Sequence, residues 1–139
     1  MAAGCANDTG LDLAGFSAME TLMPRLKLRI QFDNLLLGPG KAELLERIAE
    51  TGSISAAGRQ MDMSYRRAWA LVEEMNAAFR EPLVQGARGG KGGGGALVTE
   101  TGQQVLARYR HLLAAAEQAV AADVAALQAL LRSDVSVGK

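Results

Sequence analysis

This chain of 139 residues has almost nothing with which to hold a metal or cross-link itself, since it contains one cysteine, Cys5, and one histidine, His111. A single cysteine excludes a disulfide framework and a cysteine-based zinc site. A single histidine removes most histidine–metal and Ser-His-Asp arrangements. Excess charge is missing too. Lys and Arg number 15 against 15 Asp and Glu, a formal charge of zero, which argues against an indiscriminate polybasic nucleic-acid binder. No uncharged apolar run approaches the ~18 residues of a membrane span, so no membrane partner is expected. The N-terminus lacks the basic and apolar segments of a secretory signal, and the expected location is cytoplasmic. Paired carboxylates, nucleophile–base pairs and ligand clusters are also lacking at usable spacing, so the chain is not read as an enzyme. No cofactor, metal or small-molecule site is identifiable.

Glycine is abundant instead, with 16 in all and eight of them between 86 and 102. Residues 1–24 are small and acidic, carrying Asp8, Asp12 and Glu20 without a base, and read as a flexible tail. Leu11, Leu13, Phe16, Met19, Leu22 and Met23 offer it a short apolar face at helical spacing. Residues 26–32 alternate strictly, with Leu26, Leu28, Ile30 and Phe32 against Lys27, Arg29 and Gln31. That period of two predicts a half-buried strand. After Gly38-Pro39-Gly40, the spacing of Leu44, Leu45, Ile48 and Ala49 predicts an amphipathic helix from Lys41 to Thr51, stopped by Gly52.

Ser53 is a good N-cap for a short helix over Ile54–Met61, and Asp62-Met63 reads as a turn. Ser64 caps a longer helix, Tyr65 to Phe79, whose Ala68, Val72, Met75 and Phe79 form its buried face. Leu83-Val84 and Leu97-Val98 flank the glycine tract as the strands of a hairpin. Thr101 is a plausible cap for a last helix, from about Gln103 to Leu131. There Leu106, Leu113, Val120 and Leu127 repeat every seven residues, with Tyr109, Ala116, Val124 and Leu131 between them.

The predicted fold is mainly α with a small β-hairpin, a winged helix-turn-helix with a long C-terminal dimerisation helix. Its parts are a tail over 1–24, the winged domain over 25–100, the long helix over 101–132 and a frayed end over 133–139. Ala56, Ala57, Gly58 and Ala68 are small enough for the two motif helices to cross closely. Leu106, Tyr109, Leu113, Val120 and Leu127 are the expected dimer seam.

From Ser53 to Thr99 the bases Arg59, Arg66, Arg67, Arg80, Arg88 and Lys91 outnumber the acids Asp62, Glu73, Glu74 and Glu81. Acids usually occupy a helix's first turn, where they complement the dipole. Tyr65, Arg66 and Arg67 stand there instead, as for a helix that meets an external anion and reads base edges in a major groove. Ser53 and Ser64 place two helix N-termini where phosphates can meet them, and Arg88 and Lys91 are the only charges on the glycine tract. The alternatives are a solvated face and an interdomain linker. A phosphate-binding loop fails, because Gln85 stands six positions before Lys91 and Gly92 just after it. A dinucleotide fingerprint fails for want of a surrounding βαβ unit. Trp69, on the flank of the buried stripe, is expected in the core. His111 is expected in solvent or at an interface.

Residues 25–131 resemble the N-terminal DNA-binding domain of ModE-type molybdate-responsive transcriptional regulators, a module related to that of LysR-type regulators. The stretches that carry the likeness are Gly52-Ser53-Ile54-Ser55, Ser64-Tyr65-Arg66-Arg67-Ala68-Trp69, Glu74-Met75-Asn76, and Gly89-Gly90-Lys91-Gly92-Gly93-Gly94-Gly95-Ala96. The resemblance implies that the recognition-helix and wing residues contact double-stranded DNA, and that a homodimer sits on a palindromic operator. Members of that family continue into β-rich modules that bind molybdate. The present sequence supplies no such stretch, so the resemblance does not carry molybdate sensing with it. The competing expectation is a winged-helix module that binds another regulator rather than DNA.

Overall fold

The computed structural model describes residues 24–87 and 95–132. The apolar face expected between Leu11 and Met23, the wing tip, and the end after Arg132 lie outside the described residues. In order, the elements are β1 (Ile30–Gln31), β2 (Leu36–Leu37), α1 (Pro39–Thr51), α2 (Ile54–Gln60), α3 (Tyr65–Ala78), β3 (Val84–Ala87), β4 (Gly95–Val98) and α4 (Glu100–Leu130). Lys27–Ala116 form one compact unit, and residues 24–26 and 117–132 are the described part of a second. The boundary between these units falls inside α4.

Helix α1 opens with Pro39 in its first turn, where a missing N–H costs nothing. Leu44, Leu45 and Ile48 are wholly buried, and each contributes about 1.5–3 kcal/mol of hydrophobic stabilisation. Their stripe extends back through Ala42 rather than forward to Ala49, which is exposed at the helix end. Gly52 ends α1 in the left-handed region at φ 72°, its N–H donating to Ile48 O at 2.8 Å. Ser53 then caps α2 at once, its Oγ accepting from the Ala56 N–H at 3.0 Å. Where α2 crosses α3, a Cβ on Gly58 would stand 3.1 Å from the Ala68 Cβ. The small residues are needed there for the close crossing the sequence suggests.

Asp62 makes the turn at φ 62°, a left-handed conformation that Asp tolerates better than most residues. Ser64 caps α3 by accepting from the Arg67 N–H at 3.1 Å. Ala68, Val72 and Met75 form the buried face of α3. The helix stops at Ala78, where Phe79 turns extended (ψ 160°) well before Pro82. β3 and β4 pair antiparallel, with Val84 opposite Val98 and Ala87 opposite Gly95. Leu83, just before β3, is wholly buried.

The first hairpin is shorter than its alternation predicts. Only Ile30 and Gln31 pair, with Leu37 and Leu36. The period of two survives as burial, since Leu26, Leu28 and Ile30 are half-buried while Lys27, Arg29 and Gln31 are exposed. Phe32 departs from the pattern at 45% exposure. Its N–H donates to Leu35 O at 2.7 Å, so the chain is already turning there and the side chain leaves the buried face.

Helix α4 begins three residues earlier than the sequence suggests. Its cap is Thr99, whose Oγ1 accepts from the Gly102 N–H at 3.0 Å. Thr101 lies inside the helix and donates to Glu81 at 2.8 Å. Part of the expected dimer seam lies in the core of the chain itself. Leu106 and Tyr109 are 4% and 3% exposed within the chain's own core, and Leu113 packs against that core. The Tyr109 hydroxyl donates to Leu28 O at 2.7 Å, tying α4 to the N-terminal segment. Burial holds that phenol above its ordinary pKa, with Arg29 acting weakly the other way.

Gly102 fits where no side chain can. A Cβ there would collide with the Leu83 carbonyl oxygen and come within 2.6 Å of Val98 Cγ1. Gly102→Ala should lower stability by about 1–3 kcal/mol, because backbone rather than a mobile side chain has to move. Gly40→Ala, with nothing within 4 Å of the added methyl, should be neutral or stabilising by up to about 1 kcal/mol. Urea unfolding of the two variants checks both; equal midpoints would contradict the packing at Gly102.

Candidate nucleic-acid interface

The face of interest is organised around α3. Because successive residues of a helix turn by ~100°, the buried stripe of Ala68, Val72 and Met75 leaves Arg66, Ala70 and Glu73 on the outer side. All three are exposed. Tyr65, Arg66 and Arg67 occupy the first turn, which holds no acid, and all three are exposed. They point in different directions. Arg67 and Leu71 line a cleft shared with β2 and the start of α1, and Tyr65 and Trp69 line a groove shared with the wing strands. Arg66 is left between the two flanks.

Trp69 is not a core residue. It is 38% exposed and meets Tyr65, itself 52% exposed, edge to face with ring centroids 6.5 Å apart. The two rings, with Ile54, Val84 and Ala96, border a groove of about 420 Å³ between the motif helices and the wing. Ser53 is half-buried and Ser64 exposed. Both hydroxyls accept a backbone N–H as caps, which fixes where the two helix N-termini emerge. Arg88 and Lys91 lie outside the described residues.

The wing is fastened to α3 by a residue that sequence reasoning did not assign. Asn76 Nδ2 donates to Val84 O at 3.0 Å, and its Oδ1 accepts from the Leu83 and Val84 N–H groups at 2.8 and 3.1 Å. Its sequence signals are an amide next to Met75 and a place in the Glu74-Met75-Asn76 stretch that carries the family resemblance. From the other side, the Ala96 N–H donates to Gly52 O at 2.9 Å, binding β4 to the junction of α1 and α2.

Further along α4, Val120 is half-buried, Leu127 is 63% exposed and His111 is exposed. Val120 and Val124 border a groove of about 400 Å³ with Pro24 and Leu26. By length and composition alone α4 is apolar enough to cross a membrane. Glu117 and Asp123 interrupt its alanine-rich stretch, so no uncharged run of that length is present in the sequence. Among the described residues no cluster of His, Cys, Asp or Glu could hold a metal ion.

Residues 40–103 match the model of the bacterial regulatory helix-turn-helix proteins of the lysR family. The chain carries a LysR-family helix-turn-helix domain. This is a family of regulators, not of enzymes. The chain is 45% identical over 73 residues to the molybdenum-pterin-binding protein MopB of Rhodobacter capsulatus, an alignment covering 52% of this chain and 27% of that protein. It is 42% identical over 93 residues to the DNA-binding transcriptional dual regulator ModE of Escherichia coli K12, covering 67% of this chain and 35% of ModE. It thus spans about a third of the length of these relatives. A solved complex of the CbnR DNA-binding domain with DNA shares the winged fold at a TM-score of 0.51 and 19% identity, over 63% of this chain and 95% of that one.

In this LysR-family domain the Asn76 amide has one geometry that satisfies all three hydrogen bonds. Asn76→Ala should cost about 1–3 kcal/mol, since it leaves two buried N–H groups and a carbonyl to find other partners. Asn76→Asp should cost as much, because a carboxylate cannot donate to Val84 O. Equilibrium urea unfolding measures both, and stability equal to that of the parent would show the clamp to be dispensable.

Proposed function

We propose that the chain is a sequence-specific DNA-binding transcriptional regulator that acts as a homodimer on a palindromic operator of molybdenum-related genes, within the cytoplasm. The observation that carries this reading is the first turn of α3. It is capped by Ser64, carries no acid, and presents Arg66 to solvent between two flanking clefts. Arginine pairs bidentately with guanine O6 and N7, and the open helix N-terminus favours an anion. Tyr65, Arg66 and Arg67 are assigned to base reading. Ser53, Ser64, Arg88 and Lys91 are assigned to positioning phosphates, the last two from their places between β3 and β4. The molybdenum link comes from the names of the ModE and MopB relatives.

The dimer seam is assigned to α4 beyond Leu113, with Val120 and Leu127 at its centre. Leu127, Leu130 and Leu131 are 63%, 81% and 70% exposed, and a second copy would cover them. A bilayer is the poorer partner, since Glu117 and Asp123 would each cost about 2.5–3.5 kcal/mol at its centre. The exposed Tyr65–Trp69 pair favours a second reading, a module that docks another protein through its wing-side groove. Gel shifts with the upstream region of the chain's own operon separate the two readings.

Arg66→Ala should cost about 1–3 kcal/mol of operator binding and relax specificity at one base pair. Lys91→Ala should weaken binding to all sequences alike and reduce the salt slope by about one. Anisotropy titrations at several salt concentrations measure both, and operator binding unchanged in both variants would refute the surface assignment. In sedimentation the chain should be dimeric at micromolar concentration, and Leu127→Asp should shift it to monomer. A parent chain that is already monomeric would remove α4 as an interface.

A further inference from the structure

We propose that the cleft on the side of α3 away from the wing is a second DNA contact, which takes backbone phosphates flanking the bases that α3 reads. This rests on the DNA-binding reading above and adds to it Lys27, Arg29 and Lys41, which that reading does not use. The cleft, about 510 Å³, is bordered by four cations from separate parts of the chain: Lys27 and Arg29 ahead of β2, Lys41 in α1, and Arg67 in α3. Among the described residues Lys27, Arg29 and Arg67 have no carboxylate within ion-pair distance. The one acid nearby, Glu74, stands 3.5 Å from Lys41, whose Nζ also donates to Leu36 O at 2.9 Å. Lys41 is therefore held in place, while the other three cations border the cleft without such a pair.

The alternation of residues 26–32 puts Lys27 and Arg29 on one exposed face, and the missing Cβ of Gly38 makes room for the Arg29 stem. A methyl there would come within 2.8 Å of Arg29 Cγ. The first turn of α1 holds no acid either, so among the described residues the one ion pair made by these four cations is that of Lys41 with Glu74. A helix lying in a major groove about 12 Å wide has a phosphate backbone along each side. Arg66 lies between the wing groove and this cleft, so with Arg66 on base edges the cleft faces the backbone opposite the one the wing meets. Lys27 and Arg29 precede the segment 40–103 that matches the LysR-family model. They would add a contact from outside that segment.

The test uses the full chain and a duplex it enriches from a random-sequence library, in two lengths: the whole selected duplex, and one trimmed to the most strongly selected bases. Lys27→Gln/Arg29→Gln should bind the long duplex about tenfold more weakly, with the log–log salt slope reduced by nearly two per bound chain. Base preference and affinity for the trimmed duplex should stay as in the parent. Lys27→Arg/Arg29→Lys should bind like the parent, which separates charge from folding. Equal affinity and slope for parent and Gln variant would overturn this inference and leave the proposed function standing. Equal weakening on both duplexes would also overturn it, since the pair would then act through α3. Failure of the parent to enrich any duplex would overturn both readings. Saturable binding of inorganic phosphate by calorimetry, lost in a Gln variant that binds DNA normally, would assign the cleft to a free anion and overturn the DNA contact.

Discussion

The amide of Asn76 is the constraint on which the functional face depends. A two-stranded hairpin is at best marginally stable alone, and β3 and β4 are only four residues each. The wing therefore takes its position from what it is attached to. Asn76 supplies three hydrogen bonds from α3 to residues 83 and 84, and Leu83 drives its side chain wholly into the core beside them. On the opposite strand Ala96 donates to Gly52. Held at both strands, β3 and β4 are fixed relative to α3 and to the junction of α1 and α2.

The joints between the helices impose the same economy. One residue, Ser53, separates α2 from the glycine that ends α1, and it serves as connector and cap together. Gly58 against Ala68 sets the crossing distance of α2 and α3. Among the described residues no charged or polar side chain is buried, so their ionic groups all reach the surface. Function then depends on where the charges lie rather than on how many there are. A net charge of zero is compatible with a basic cleft, because the acids Asp8, Asp12 and Glu20 belong to a different stretch of the sequence from Lys27, Arg29, Lys41 and Arg67.

What the sequence revealed and what it concealed divide along the range of the interactions involved. Gly52, Ser53 and Ser64 were legible as stop and caps because their hydrogen bonds reach only three or four residues along the chain. The buried stripe of α3 was legible because helical periodicity is local as well. Asn76 was not, since its partners lie seven and eight residues away in a strand whose course a sequence does not give. Thr99 and Thr101 are equally good caps by composition. The choice fell to Thr99, with Thr101 drawn outward to Glu81. Trp69 shares a flank with Asn76, and its exposure depends on how closely the wing approaches. Phe32 was misplaced because a turn two residues wide breaks a pattern that alternation alone would continue.

Helix α4 shows why periodicity cannot name its own partner. Leu106, Leu113, Val120 and Leu127 repeat at seven without interruption, as a single seam would. Yet the first is 4% exposed in the chain's own core and the last is 63% exposed. Tyr109 adds a hydrogen bond to Leu28 that anchors the first half to the N-terminal segment. The first half of the helix is thus occupied by the core of its own unit, while past Ala116 Val120 and Val124 are half-buried and Leu127 is exposed. An alanine-rich continuation buries little area per residue but lets a second helix approach closely, and each exposed leucine it covers is worth about 1.5–3 kcal/mol. Leu127, Leu130 and Leu131 concentrate that gain at the distal end, far along the chain from the arginines of α3.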